Sequence, residues 1–127
     1  MKQIIQDLKN GKTSIVEIPM PRPKKGEILI KTNKSLISFG TEKMLIDFGN
    51  ANYLNKALQQ PDKVRDVINK VKTDGFISTY SAVKSKLNQP ISLGYSNVGI
   101  VIDIGQDVDS FSIGDRVVSN GIHAEIV

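Results

Sequence analysis

Among the side chains that could do chemistry here are Thr41, Tyr95 and His123, with Ser96 as a polar contributor. Histidine is the side-chain type whose ordinary pKa lies near neutrality, so His123 is the natural acid/base candidate. The other reading of His123 is a surface or hydrogen-bonded structural histidine. Tyr95-Ser96-Asn97 is a polar triplet set between the tight turn Leu93-Gly94 and an apolar run opened by Gly99. A phenol there can donate a hydrogen bond to an oxygen on which charge develops; otherwise it is a half-buried aromatic filling space. Thr41 reads equally as a working hydroxyl and as a helix N-cap. Glu42 and Glu125 read as structural, Glu42 because a carboxylate in a first helical turn is favoured by the helix dipole.

What is missing narrows the chemistry. The 127 residues contain no cysteine and one histidine. Thiolate nucleophiles, disulfides and sulfur-ligated metals are excluded, and no histidine-rich spacing exists. No apolar run approaches the roughly 18 residues needed to cross a bilayer, and no signal-peptide core is present. The cytoplasm is the expected location, with no membrane partner. The net charge is +4. From Asn50 to Pro90 there are seven Lys or Arg against three Asp, while the remainder balances. A lysine-rich helical face explains that excess. Aromatics are not interleaved with the charges as single-strand binders require, so no nucleic-acid partner is expected.

These residues must be held by an organised chain. Lys2 to Asp7 and Ser14 to Ile18 read as strands about an Asn10-Gly11 hairpin signal. The proline-rich Pro19-Met20-Pro21-Arg22-Pro23 blocks both ladder bonding and helix. Glu27 to Asn33 reads as a strand, and Thr41 precedes a short helix, Lys43 to Phe48. Val64, Val67, Ile68 and Val71 recur at i, i+3, i+4 and i+7, which predicts an amphipathic helix. Phe76, Tyr80, Val83 and Leu87 predict another, between Gly75 and Pro90. Both apolar stripes are expected to dock onto a core. Strands follow at Asn97 to Asp103, Arg116 to Ser119 and His123 to Val127. The apolar last strand leads us to expect the front piece of a longer protein.

Taken in order, the pieces resemble the N-terminal GroES-like domain of medium-chain dehydrogenases/reductases, the zinc alcohol dehydrogenase superfamily. The residues that carry the likeness are Ile18 to Pro23, Gly26 to Lys31, Gly40-Thr41-Glu42, Leu93 to Val101, and Phe111-Ser112-Ile113-Gly114-Asp115-Arg116-Val117. The expected fold is mainly β, a partly open GroES-like barrel spanning residues 1–127, with a helical insertion at about 50–89. That insertion, with Ser35 to Glu42 and Ser119 to Glu125, resembles a bi-domain oxidoreductase subgroup linked with bacterial polysaccharide synthesis.

Zinc-dependent members place cysteine where this chain has Phe39, and a His-Glu pair where it has Tyr95 and Ser96. No zinc is therefore expected. The resemblance implies NAD or NADP in the whole protein, held mainly by a Rossmann domain of the same protein. The glycine-rich phosphate turn of that domain is absent, since Gly94 and Gly99 have the wrong spacing and precede a strand. It further implies that Thr41 can touch substrate or cofactor, that Tyr95 and His123 serve catalysis, and that Ser96 and Asn120 face a small-molecule substrate, a sugar or sugar-nucleotide derivative. A homo-oligomer is compatible with these features. The other function class is a non-catalytic scaffold whose helical insertion docks a partner or second domain.

Overall fold

A computed structural model describes residues 1–127. Ten elements follow one another: β1 (Lys2–Gln6), β2 (Thr13–Glu17), β3 (Ile28–Ser35), α1 (Phe39–Asn50), α2 (Tyr53–Gln59), α3 (Pro61–Asp74), α4 (Phe76–Leu87), β4 (Ile91–Ser92), β5 (Asn97–Ile104) and β6 (Arg116–Ser119). They fall into two compact units. One holds Met1–Ile5, Ser14–Glu42 and Ser92–Val127, and the other Gln6–Thr13 and Lys43–Ile91. The fold is mostly strands with a helical insert and no closed barrel, as expected of a partial GroES-like domain.

The first unit is built on two three-stranded sheets, ordered β2-β1-β4 and β3-β5-β6. In the second, β5 lies antiparallel to both neighbours, pairing Ser35 with Asn97 and Gly99 with Val117. The β5 residues Asn97, Gly99 and Val101 are buried while Val98 is exposed, the period of two that a half-buried strand dictates. Leu29, Ile30, Leu93, Val101 and Ala124 form the apolar core.

Residues 123–127 are not the regular last strand that their pattern predicts. They bond alternately to the two sheets. Ile4 N–H donates to the His123 carbonyl at 2.9 Å and Glu125 N–H to the Lys2 carbonyl at 3.0 Å. On the other side, Thr32 N–H donates to the Glu125 carbonyl, and Ile30 and Val127 exchange both of their bonds. Only isolated bridges result, Gln3 with Ala124 and Lys31 with Ile126. This tie fixes the backbone of His123.

The second unit is helical, and several expectations are corrected there and at the start of α1. The Asn10-Gly11 pair does not form a two-residue hairpin. The link from Asp7 to Lys12 is longer and is folded by the Asp7 carboxylate, which accepts the Lys9 N–H at 2.7 Å. Helix α1 begins at Phe39, four residues before its expected start, so Thr41 lies within the first turn and is not the N-cap. Ser38 occupies the flanking position, and its N–H donates to Glu42 Oε1 at 2.9 Å. Asn52 caps α2 by accepting the Asn55 N–H at 2.8 Å. The stripes on α3 and α4 do not reach a core as predicted: α3 has no buried residue, and Ile68, Phe76 and Tyr80 are exposed.

Candidate functional site

The polar centre of the first unit forms around His123. Its backbone N–H donates to the Leu93 carbonyl at 2.7 Å. Leu93 is followed by Gly94, with φ +89, and a Cβ built on Gly94 would lie 2.7 Å from ring atoms Cγ and Nδ1 of His123. Glycine is therefore demanded twice, by the left-handed backbone and by contact with the imidazole. The ring is 6 % exposed, and both nitrogens are engaged. Nδ1 lies 2.8 Å from Ser35 Oγ, and Nε2 lies 3.0 Å from Glu42 Oε2. Glu42 is equally buried, and its other oxygen holds the Ser38 N–H.

Three elements converge to make this cluster. Ser35 ends β3, Glu42 lies in the first turn of α1, and His123 comes from the tie between the sheets. Because a carboxylate only accepts, the Nε2–H of His123 donates to Glu42. In a neutral ring Nδ1 is then the acceptor for the Ser35 hydroxyl. Ser35 is an exposed residue at the end of β3, and it is the outermost member of the cluster.

The other expected site residues border the cluster through the backbone. Thr41 precedes Glu42, is exposed, and has Ser38 Oγ at 3.4 Å. Tyr95 follows Gly94 and is 47 % exposed. Ser96 contributes its backbone carbonyl, which accepts the Leu36 N–H at 3.0 Å. Phe39 is 78 % exposed. No hydrogen bond joins the side chains of Thr41, Tyr95 or Ser96 to His123. Asn120 lies elsewhere, in an open depression of about 460 Å³ lined by Ile28, Phe111, Val117, Val118 and Val127.

Two residues carry more than their sequence context announces. Ser35 looks like an ordinary residue at a strand end, and its pairing with His123, 88 positions away, has no local signature. Asn97 does more than open a strand. It is buried on β5, where its Nδ2 donates to Thr32 Oγ1 at 2.9 Å and its Oδ1 accepts the Ser119 hydroxyl at 2.6 Å. The apolar spacing of Val98, Ile100, Ile102 and Ile104 points to the opposite face, so its burial has no signal in the sequence. No group of three His, Cys, Asp or Glu side chains is arranged to hold a metal ion.

Residues 65–125 match the alcohol dehydrogenase GroES-like domain family. Among solved structures, the quinone oxidoreductase from Coxiella burnetii is similar over 100% of this chain and 33% of its own, with 28% identity and a TM-score of 0.54. JamJ enoyl reductase, in its apo form, is similar over 99% of this chain and 32% of its own, with 15% identity and a TM-score of 0.56, a likeness of fold. The chain thus spans about a third of the length of each. No curated protein matches it by sequence.

Proposed function

We infer that this chain, which carries a GroES-like domain of the medium-chain dehydrogenase/reductase superfamily, is the substrate-side domain of a zinc-independent, NAD(P)-linked oxidoreductase. What supports this reading is the donor set at the positions where the resemblance places the family's metal ligands. Phe39 has no donor atom, and Tyr95 and Ser96 offer neutral hydroxyls, poor ligands for zinc. Tyr95 follows Gly94, which packs against a buried imidazole whose two nitrogens are already occupied by Ser35 and Glu42. A substrate oxygen here meets hydrogen-bond donors instead of a Lewis acid. Tyr95 and Thr41, both exposed, are the side chains we place against it, and Ser96 and Asn120 are the further polar contacts.

The chain's own residues do not fit a dinucleotide phosphate. Gly94 and Gly99 feed strand β5, not a helix N-terminus. The cofactor therefore belongs to a Rossmann domain outside these residues. A sugar or sugar-nucleotide substrate is supported by the subgroup resemblance of Ser35 to Glu42, of the helical insertion and of Ser119 to Glu125.

The test is turnover of a sugar-nucleotide carbonyl with NADH or NADPH by the longer protein, together with metal analysis. Tyr95→Phe and Thr41→Val should slow turnover. Stoichiometric zinc would overturn the zinc-independent reading, and unchanged rates in both variants would remove Tyr95 and Thr41 as donors. A second reading, a non-catalytic scaffold with a partner on its helices, draws support from the exposed Leu54, Leu58, Ile68, Phe76 and Tyr80. Absence of any nicotinamide oxidation by the longer protein would favour it.

A further inference from the structure

We propose that Ser35 is the residue that exchanges a proton with the substrate oxygen, and that Glu42 and His123 form the conduit that recharges it. This rests on the oxidoreductase reading above. The three groups form one continuous chain: Glu42 Oε2 to His123 Nε2 at 3.0 Å, then His123 Nδ1 to Ser35 Oγ at 2.8 Å. The inner two members are buried and the outer one is exposed. A buried imidazole with both nitrogens bonded does not itself reach a ligand. Its effect leaves the protein through Ser35.

Chemistry follows from which atom donates. With a neutral ring, the Ser35 O–H points inward to Nδ1. When the ring is protonated, Nδ1–H donates to Ser35 Oγ and the hydroxyl proton is free to turn outward. The Ser38 N–H holds the buried Glu42 carboxylate in place against Nε2. When a carbonyl is reduced by a hydride from a reduced nicotinamide, the C=O π pair becomes an alkoxide lone pair. The alkoxide takes the Ser35 proton, Ser35 Oγ takes the Nδ1 proton, and a neutral imidazole remains. One proton and one hydride have been added and the product is an alcohol. Thr41 and Tyr95 lack such a supply, because neither is hydrogen-bonded to a buried titratable group. Ser35 is thus the catalytic residue of the cluster, and His123 and Glu42 are positioning residues.

Two measurements test this. The chain has a single histidine, so ¹⁵N-histidine labelling reports one ring. The expected neutral form carries its proton on Nε2, and Ser35→Ala should shift the Nδ1 resonance. A neutral form protonated on Nδ1 would overturn the proposal. The second is steady-state reduction of a sugar-nucleotide carbonyl by NADH or NADPH in the longer protein. Ser35→Ala should lower kcat on the order of 100-fold, as loss of a general acid does. KM should change little, the solvent deuterium isotope effect on kcat should diminish, and Ser35→Thr should restore most of the rate. Turnover indifferent to Ser35→Ala sinks the conduit alone. No turnover by the unaltered protein sinks the oxidoreductase reading and the role of Ser35 with it.

Discussion

Gly94 lies so close to His123 that a Cβ on it would come within 2.7 Å of the ring and of the His123 backbone nitrogen. The turn that opens the polar triplet and the residue that centres the cluster are thus in contact, although 29 positions separate them in sequence. Substitution by alanine adds both a steric clash and a strained φ. We expect Gly94→Ala to destabilise the protein by about 2–4 kcal/mol, combining overpacking with left-handed backbone strain. Urea unfolding would measure the loss. The ¹⁵N signals of the single histidine should shift in the fraction that remains folded. An alanine variant with unchanged stability and ring shifts would contradict the contact.

Asn97 supports the other side of the same region. It is 1 % exposed and joins β3 to β6 through Thr32 and Ser119. Replacing it with leucine leaves Ser119 without its acceptor and Thr32 without its donor. The expected cost is about 2–4 kcal/mol, from two lost hydrogen bonds and desolvated partners. Thr32→Val, which removes one bond, should cost about 1 kcal/mol. A double-mutant cycle on the two would show whether they act through one bond.

Much of this fold was legible in the sequence because its signals are local. The positions of β3, β5 and β6 follow from short apolar runs, and Pro61 and Gly75 bound α3 where breakers should. Less was legible where tertiary bonding decides. Thr41 and Ser38 are both acceptable N-caps, and the Glu42 carboxylate selected Ser38 by reaching back to its N–H. The amphipathic spacing of α3 correctly predicted a helix, but periodicity does not say what covers the stripe. The acid/base candidate His123 was visible, while its partners were not, since Ser35 and Glu42 meet it only after the strands pair.

Lys56 provides a pH-dependent test of the helical unit. It is 6 % exposed, and its ammonium donates to the carbonyls of Gly49, at 2.8 Å, and Ala51. The rings of Phe48 and Tyr53 flank it at 5.8 and 6.0 Å. Burial lowers its pKa from 10.5, and the Asp7 carboxylate pulls weakly the other way. A lowered folded-state value means that the unfolded chain binds more protons just below pH 10.5. Stability contributed by Lys56 therefore rises with pH across that window. We expect Lys56→Met to cost about 1–3 kcal/mol at neutral pH, by leaving two carbonyls unpartnered. The gap from the unaltered protein should widen as pH approaches 10.5. A gap that narrows with rising pH would reverse the assignment.

The two units should also differ in local stability. The strand unit contains the whole apolar core: Leu29, Ile30, Leu93, Val101 and Ala124. In the helical unit the buried side chains are Gln6, Lys56 and Thr79, all polar. Helices of 7 to 14 residues are marginal in water unless an apolar face is packed. Ile68, Phe76, Ile77 and Tyr80 leave much of that face on α3 and α4 exposed. Native-state hydrogen exchange should show amides of α3 and α4 opening with a free energy well below that of β5, whose residues pair on both sides. Equal protection of α3 and β5 would mean that burial of these apolar side chains is not what sets local stability here.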